Sequence, residues 1–429
     1  MNEPIILGGG LAGLSACYNS KGTIYERKMK VGGHASSHEI DGYIFDEGIH
    51  VLHTSNEYVL NLMEEIDAKM EVKNRDAWIF SHGCMTRYPF QANTFGLPIN
   101  IVKDCLIGFI ENEFIDRKKI KNYRDWIYFM FGKGIAEYFM IPYCKKFWGI
   151  NPEELTTDWV NVRHPKPTLD EVITGAITDQ KKGFGINASY RYPKIKGFSN
   201  IANSISNKCS DRIKCGMEVT RIDPKRKIVQ FNGDQDIEYK NKLISTIPLP
   251  DLLKLIKGVP KDIISESKKL RTNSIFVVNL GINKADISEK NWIYYLDSDY
   301  SFFRISFPHN QSDSMAPKNK SSISAEVAYG NDNELPASKD QLAKRVIHDL
   351  IKAGVLHNED EIELVNTFDI KYGYVIFDDN RKTVVSKIHK YLKSIGIIPC
   401  GRYGDWAYLW SDESILSGKK AINKYNSLN

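Results

Sequence analysis

The order of apolar and polar positions predicts that this chain opens with a β-α-β unit. Ile5-Ile6-Leu7 is a short apolar run typical of a buried strand, and residues 11–18 have the pattern of a helix. A second strand, Thr23-Ile24-Tyr25, ends at Glu26. At 57–66 the apolar residues recur at helical spacing, with charged residues on the other face. Because strands and helices alternate, we expect an α/β fold.

The middle of the chain changes from a helical pattern back to strands. Residues 99–147 have helical periodicity and many aromatic side chains, which predicts a helical subdomain. Strands are predicted again at 218–222 and 227–231, and the second of these precedes a hairpin turn at Asn232-Gly233. Residues 243–248 form a continuous apolar run, as expected in a sheet that is covered on both faces.

A second sheet is predicted in the C-terminal half. We expect its strands at 276–280, 292–296, 302–307 and 322–328. Their spacing predicts a mixed sheet, and a helix follows at 339–353. The segment 400–406 is predicted to open a last helix, whose N-terminal amides can close over a ligand.

A glycine-rich turn, Gly8-Gly9-Gly10-Leu11-Ala12-Gly13, joins the first strand to the first helix. Gly8 suits a tight turn, Gly10 lets backbone N–H groups approach a pyrophosphate, and Gly13 lets helix and strand pack closely. Glu26 is placed to accept hydrogen bonds from an adenosine ribose. An ordinary glycine-rich turn is the alternative. Strand, glycines, helix, strand and acid in this order favour a dinucleotide site.

A second glycine-bearing loop favours FAD over NAD. The loop Val31-Gly32-Gly33-His34-Ala35-Ser36-Ser37 closely follows Glu26, where it can reach the flavin side of the cofactor. The strand Tyr43-Ile44-Phe45-Asp46 then leads into Glu47-Gly48-Ile49-His50. His34 and His50 are alternatively solvated or core histidines, but His50 follows the strand that would point at the flavin. This opening resembles the glutathione-reductase type of FAD domain, in its amine-oxidase-like branch.

The length of 429 residues exceeds one compact core, so two or three subdomains are expected. We predict a Rossmann-like FAD-binding domain at 1–92, 187–272 and 379–429, a helical substrate-binding insertion at 93–186, and a mixed-sheet substrate subdomain at 273–378.

Composition narrows the function classes. A net charge of +5 is small for this length and gives no argument for nucleic acid. No apolar run approaches the roughly 18 residues of a membrane span, and no signal peptide is expected before the first strand. Seven cysteines without a CxxC pair suggest a reducing compartment and no metal site. We therefore expect a cytoplasmic protein, and a homo-oligomer is compatible with these features.

Further motifs make almost the whole chain similar to the UDP-galactopyranose mutase family, and more to its longer eukaryotic-type members. They are the loops at 32–36 and 48–50, Tyr88-Pro89-Phe90-Gln91-x-Asn93, Pro142-Tyr143-x-x-Lys146-x-Trp148 with Trp159 and Arg163, Asn187 before Tyr190-Arg191-Tyr192-Pro193, Trp292-Ile293-Tyr294 with Phe303-Arg304, and Tyr372-Gly373-Tyr374 with 401–408. Because a dozen such matches occur in one order, chance is a poor explanation.

The resemblance implies a role for each matching residue. As catalytic residues it implies His50, Arg163 and Arg304, the two arginines holding the substrate phosphates. As substrate-binding residues it implies Tyr88 at the nucleotide base, Gln91 and Asn187 at the sugar, Trp292 and Tyr294 on the substrate sheet, and Tyr374 and Tyr408 on the diphosphate. As cofactor-binding residues it implies Gly8, Gly10, Leu11, Ala12, Gly13, Glu26, Arg27, Gly33, His34, Ala35, Ser36, Gly48, His50, Val219, Arg402, Gly404, Asp405, Trp406 and Ala407.

The same residues also have simpler interpretations. Guanidinium forks and phenol hydroxyls are well suited to a diphosphate, but an arginine can equally form a structural ion pair. The tyrosines are alternatively core aromatics with a hydrogen-bonded hydroxyl, and Trp292 a core residue. Gln91 and Asn187 are alternatively residues that only cap backbone groups.

Four positions depart from the family pattern. Cys144 replaces an asparagine near the nucleotide, and Val375 replaces a proline. Glu47 and Ile49 replace small residues beside the histidine, which predicts a stiffer loop. These departures leave open which sugar and which nucleotide are bound.

By resemblance, we expect an isomerase that interconverts the pyranose and furanose forms of a nucleotide-diphosphate sugar without net redox. Reduced FAD would attack the anomeric carbon through its N5 atom, after reduction by NAD(P)H or a flavin reductase. Galactofuranose donors for cell-surface polysaccharide synthesis would be the products. The alternative is an FAD-dependent oxidoreductase of the amine-oxidase or desaturase type, since fold alone does not determine function.

Overall fold

The fold contains strands and helices throughout, as the α/β prediction expects; they alternate in the opening unit at 5–26 and occur in runs further along the chain. The computed structural model describes residues 3–112, 120–160, 166–181, 183–184, 188–330 and 334–427. The strands are β1 (Ile5–Leu7), β2 (Thr23–Glu26), β3 (Ser37–Ile40), β4 (Tyr43–Asp46), β5 (Met70–Asn74), β6 (Ala77–Ser81), β7 (Cys84–Arg87), β8 (Ser189–Pro193), β9 (Ile213–Cys215), β10 (Val219–Asp223), β11 (Ile228–Phe231), β12 (Gln235–Glu238), β13 (Leu243–Ser245), β14 (Ser274–Ile282), β15 (Trp292–Tyr295), β16 (Arg304–Ser306), β17 (Ser321–Tyr329), β18 (Ile362–Ile370) and β19 (Ile397–Pro399).

The helices join these strands on both sides of the sheets. They are α1 (Leu11–Tyr18), α2 (Glu57–Glu65), α3 (Ile99–Glu111), α4 (Tyr123–Ile135), α5 (Ile141–Trp148), α6 (Leu169–Ile177), α7 (Ser199–Asn207), α8 (Leu249–Leu255), α9 (Lys261–Ser267), α10 (Lys339–Lys352), α11 (Arg381–Ser394), α12 (Gly401–Gly404) and α13 (Ser411–Ser427). In the part of the chain that the structure describes, none of them has the length and apolar character needed to cross a bilayer.

A five-stranded parallel sheet positions the glycine turn. Its strand order is β19-β13-β1-β2-β9, so β1 is central and the turn after it opens at the carboxyl edge of the sheet. Ile6 and Leu7 are fully buried, because helices cover both faces. Helix α13 packs tightly on α1: a Cβ on Gly418 would lie 2.0 Å from the carbonyl oxygen of Ala12. The predicted FAD-domain architecture is therefore present.

A seven-stranded mixed sheet forms the second layer, in the order β18-β14-β17-β16-β15-β6-β7. Strand β6 pairs in parallel with β15, and the other pairs are antiparallel. The predicted segment 1–92 of the FAD domain thus contributes two strands, β6 and β7, to the other sheet. The sequence analysis also missed β18, whose apolar alternation at Ile362, Leu364, Phe368 and Ile370 is interrupted at Asn366, and most of whose side chains are exposed or half-buried.

The predicted helical stretch at 99–147 is divided into α3, α4 and α5. Near the end of α4, Gly132 has φ +74°, and a Cβ there would lie 1.9 Å from the carbonyl oxygen of Gly108. Glycine is required at this position because the backbones of α3 and α4 touch. One π-helical turn, Ala136–Met140, leads from α4 into α5. Helix α5 then carries aromatic side chains toward the mixed sheet.

Two local predictions can be compared directly with the structure. Asn232 and Gly233 have φ +52° and +90° and turn the chain between β11 and β12, as predicted. The segment 400–406 is predicted to open the last helix of the chain. It forms only the short α12, the chain leaves helical geometry at Trp406 (φ +48°), and α13 begins at Ser411.

Candidate active site

The glycine turn has the geometry required for a close approach of helix and strand. Gly8 has φ +101°, and a Cβ on it would lie 2.2 Å from the hydroxyl oxygen of Thr246. A Cβ on Gly13 would lie 2.0 Å from the carbonyl oxygen of Gly8. Both glycines are therefore required by the fold itself.

Gly10 is different, because the chain leaves space beside it. The nearest atom to a Cβ built on Gly10 is the Cα of Gly33, at 3.9 Å. The second glycine loop closes against the first through the amide of Gly32, which donates to the carbonyl of Gly9 at 2.8 Å. The space beside Gly10, at the N-terminus of α1, therefore fits the pyrophosphate of a dinucleotide.

Glu26 is held at the same turn. Its Oε2 accepts from the amide of Gly9 at 2.6 Å and its Oε1 from the amide of Lys28 at 2.8 Å. A carboxylate has further lone pairs, which remain available to ribose hydroxyls. Of the nearby predicted residues, Arg27 is exposed and Val219 is half-buried at the start of β10.

Glu47 fastens the second loop. Its carboxylate accepts from His34 Nδ1 and His38 Nε2 and pairs with Lys28 Nζ, each at 3.1 Å. Burial alone would raise the pKa of Glu47, but the hydrogen bonds from both histidines and the nearby charges bring that pKa well below its usual range. These contacts tie the loop to neighbouring side chains through Glu47, one of the two residues from which a stiffer loop is predicted.

The C-terminal segment packs closely against α1. A Cβ on Gly401 would lie 2.9 Å from the Cβ of Ala12. Asp405 accepts from the hydroxyl of Ser417 at 2.5 Å, and Trp406 is 1% exposed. The remaining predicted cofactor residues are buried or half-buried on these same loops: Leu11, Ala35, Ser36, Gly48, Gly404 and Ala407.

A cavity of about 240 Å³ lies between these loops, the mixed sheet and α5. Many of the predicted site residues line it: His34, Gly48, His50, Tyr88, Trp292, Tyr294, Arg304, Tyr374, Arg402 and Tyr408. Gln91 is buried but does not line this cavity. Arg163 and Asn187 lie outside the described residues, so their assigned roles stay predictions.

Arg304 forms a buried ion pair on the cavity wall. Its Nε donates to Glu326 Oε2 at 2.5 Å, and Glu326 Oε1 accepts from the amide of Ile49 at 3.1 Å. Burial alone would lower the pKa of Arg304, but Glu326 raises it well above its ordinary value. Arg304 thus forms the structural ion pair that was the alternative interpretation, and it also lines the cavity. Glu326 orients the guanidinium and links it to the loop of His50.

Aromatic rings and a second guanidinium complete the wall around Arg304. The ring centroids of Phe147 and Tyr374 are 4.4 Å apart, and those of Tyr374 and Tyr408 are 5.5 Å apart. The Cζ atom of Arg402 lies 5.8 Å from the Tyr374 ring and 5.9 Å from the Tyr408 ring. Arg402 also donates to the carbonyl of Leu409 at 2.6 Å. The result is a positively charged, phenol-lined pocket suited to an oxyanion.

His50 is a neutral acceptor at the cavity. Its Nδ1 lies 3.1 Å from the carbonyl oxygen of Gly48, which fixes the proton on Nδ1 and leaves the lone pair on Nε2. Burial, together with the charge of Arg402, lowers the pKa of His50 to about 4. The ring is therefore uncharged at neutral pH.

His50→Ala is expected to slow turnover while leaving the FAD content unchanged. The unfolded pKa is about 6.5 and the folded pKa about 4. Between these values the unfolded state binds more protons, so His50 makes stability fall as pH falls from about 6.5 to about 4. Replacing His50 should therefore reduce the dependence of the thermal denaturation temperature on pH in this range.

His309→Ala is the matched control for the effect on turnover. His309 is also partly buried and has a lowered pKa, but it lies away from the cavity. Bound metal, or loss of FAD, would contradict this role.

Several residues of the cavity wall were not predicted as site residues. Tyr143 and Trp148 belong to a motif that matches the family, so the sequence could have identified them as site residues. Arg75, His53 and Glu326 had none, because each comes from a segment far from its neighbours in the sequence.

The chain is similar over its whole length to several proteins of known structure. A reduced UDP-galactopyranose mutase matches with a TM-score of 0.93 and 26% identity over 100% of this chain and 96% of that one. A protein from Exiguobacterium sp. 255-15, provisionally named a protoporphyrinogen oxidase, matches with a TM-score of 0.77 and 16% sequence identity. The match covers 100% of this chain and 99% of that one. Cyclohexylamine oxidase from Brevibacterium oxydans IH-35A matches with a TM-score of 0.67 and 11% sequence identity. The match covers 100% of this chain and 99% of that one. The last two show the fold alone.

The predicted resemblance to UDP-galactopyranose mutase and the predicted fold class are confirmed by the first of these matches. The model of the family described as flavin containing amine oxidoreductase matches residues 19–368. The chain therefore belongs to this family and is a flavoenzyme whose cofactor is FAD.

Proposed function

We propose that this protein is a flavin-dependent mutase that interconverts the pyranose and furanose forms of a nucleotide-diphosphate sugar. The observation that carries the proposal is Arg304, buried on the cavity wall beside the phenols of Tyr374 and Tyr408. A diphosphate bears about two negative charges, and guanidinium and phenol donors bind it well. The reduced UDP-galactopyranose mutase that this chain resembles supports the same function.

The cofactor would bind in the FAD domain, its pyrophosphate beside Gly10 and its ribose at Glu26. The loops of His34, His50 and Arg402 would hold its flavin end. When bound and reduced, FAD supplies a nucleophile for the anomeric carbon of the sugar. The other steps depend on how the protein positions the substrate.

The residues of the cavity would hold the leaving group close to the sugar. Arg304 is aligned by Glu326, so its remaining N–H groups are available for a phosphate, and Tyr374 and Tyr408 add hydroxyl donors. We propose that Arg163 adds the second guanidinium and that Asn187 binds the sugar. His50, which is neutral, would accept a hydrogen bond without adding charge. The aromatic walls exclude water, which would otherwise compete for the sugar.

An FAD-dependent oxidoreductase is the second candidate. The family model, which is described as flavin containing amine oxidoreductase, favours it. A small apolar amine, however, has no use for a buried, aligned guanidinium beside several phenols. The two functions differ in one measurable respect, which is whether each product molecule consumes electrons.

The test is an anaerobic assay with enzyme reduced once by dithionite. A nucleotide-diphosphate furanose or pyranose is added in excess over enzyme, and product and flavin spectrum are followed together. We expect many turnovers per reduction, a pyranose–furanose equilibrium, and flavin that is still reduced at the end. The oxidised enzyme, treated identically, is the control and should be inactive.

Two results would contradict the proposal. One is product formed only in proportion to the oxygen or nicotinamide consumed, which would identify an oxidoreductase. The other is the absence of binding for UDP, GDP and dTDP sugars alike. The physiological reductant, which we propose to be NAD(P)H or a flavin reductase, is identified separately by the rate of flavin reduction.

A further inference from the structure

Arg75 is a guanidinium in the cavity that the proposed function does not yet use. It lies just before β6 and lines the cavity. Its Cζ atom is 3.9 Å from the ring centroid of Tyr88 and 5.0 Å from that of Trp292. Its Nη2 donates to the hydroxyl of Tyr294 at 3.1 Å. Its Nε is buried without a hydrogen-bond partner. The side chain is held in place and still has a donor to satisfy.

The charge of Arg75 has no counterion within the described residues. Arg304 is paired with Glu326, and Glu47 is occupied by two histidines and a lysine. The adjacent carboxylate, that of Asp76, accepts from Trp78 Nε1 at 2.8 Å and faces Arg87 at 3.5 Å. A partly buried charge without a partner is costly, so an anionic ligand would be favoured here over a neutral one.

The surroundings of Arg75 indicate which part of the substrate it faces. Burial and the positive charge of Arg75 lower the pKa of His53 to about 4. His53 lies three residues after His50 and lines the cavity. Arg75 also packs on Tyr88, which the family resemblance assigns to the nucleotide base, so Arg75 lies between the flavin end and the nucleotide end of the cavity. Tyr294 contacts both arginines, its hydroxyl on Arg75 and its ring centroid 5.9 Å from Arg304 Cζ. In the proposed function the sugar lies between the diphosphate and the flavin, and Arg75 would therefore face the sugar.

We propose that Arg75 binds an oxyanion carried by the sugar, so that the preferred substrate is the nucleotide diphosphate of a sugar acid. This inference rests on the proposed mutase function and specifies its substrate class. An amide or hydroxyl oxygen could also accept from Arg75, but neither would neutralise its charge. A third contact to the diphosphate is the other source of an oxyanion, and binding measurements separate the two.

The experiment measures dissociation constants of the reduced holoenzyme for UDP, UDP-galactose, UDP-N-acetylgalactosamine and UDP-galacturonate. The uronate is expected to bind most tightly. Arg75→Gln should weaken uronate binding by roughly 30-fold or more, as for the loss of a desolvated charge contact, and should leave UDP binding nearly unchanged. Arg75→Lys should restore the affinity only in part, because a point charge replaces a planar fork.

Arg124→Gln is the matched control. Arg124 lies on α4, its Cζ is 5.4 Å from the Tyr128 ring, and it pairs with Glu153 at 3.2 Å away from the cavity. Its replacement should change no dissociation constant, and FAD content should be full in every variant.

The possible failures are distinguishable. If Arg75→Gln weakens UDP as much as the uronate, the residue contacts the diphosphate and the sugar assignment is overturned. If the parent enzyme binds neutral sugars as tightly as the uronate, the substrate class is overturned while the mutase function stands. If none of these UDP compounds binds, the parent enzyme is titrated with GDP and dTDP sugars, and absence of binding for all three nucleotides overturns the proposed function itself.

Discussion

Gly10→Val is expected to give a folded protein that contains no FAD. Gly10 has φ −73° and ψ 179°, which valine adopts without strain, and the nearest atom to its Cβ would be 3.9 Å away. The apoprotein should therefore tolerate the side chain. The added methyl groups would fill the space at the N-terminus of α1 where the pyrophosphate binds. The measurement is flavin absorbance per protein together with the thermal denaturation curve.

Two other glycines provide the controls for this prediction. Gly330 has no atom within 4 Å of a Cβ, and Gly330→Val should keep both the fold and the FAD. Gly13→Val should instead lose the fold, because its Cβ would lie 2.0 Å from a backbone oxygen. A Gly10→Val protein that keeps a full complement of FAD would show that the pyrophosphate lies elsewhere.

Arg304→Ala is expected to weaken nucleotide binding by roughly 30-fold or more, on the order of 2–5 kcal/mol. The loss has two parts. The guanidinium that would contact the phosphate is removed, and Glu326, 3% exposed, is left as an uncompensated carboxylate in the same pocket. We expect the double variant Arg304→Ala/Glu326→Gln to bind better than Arg304→Ala. Arg304→Lys should recover binding only partly. Calorimetric titration of the holoenzyme with UDP and GDP measures each of these effects.

Arg271→Ala is the control for this series, since Arg271 also forms an ion pair, with Glu154 at 3.0 Å, but lies away from the cavity. It should bind nucleotide like the parent. Arg163→Ala is predicted to have an effect similar to that of Arg304→Ala, although Arg163 lies outside the described residues. Unchanged affinity in both variants would mean that the phosphate clamp is formed by other residues.

The cofactor half of the site could be predicted because its parts are contiguous. Strand β1, the glycine turn, α1 and β2 follow one another within residues 5–26, so local periodicity and glycine placement were sufficient. The predicted bounds of α1 agree with the structure for the same reason. His50 lines the cavity shortly after the end of β4, and its role stays a prediction.

The substrate half was predicted only where the family resemblance supplied a motif. Tyr88, Trp292, Tyr294 and Arg304 were identified in that way, whereas Arg75 and Glu326 were not. No local pattern distinguishes a cavity arginine from one on the surface, because both are polar positions at a strand end. The break of the long helical stretch near Gly132 was missed, since it results from contact with α3.

Sequence by itself determined the order of strands and helices and the dinucleotide turn, since short-range periodicity and steric requirements are written in neighbouring residues. Tertiary structure alone decided which charges are paired and which are free. The parallel pairing of β6 with β15 sets Ile79 opposite Tyr294 and so brings Arg75 to the Tyr294 hydroxyl. The pairing of β16 with β17 sets Arg304 opposite Glu326. These partners are 219 and 22 residues apart, and only sheet register, fixed by burial of the apolar faces, brings them together.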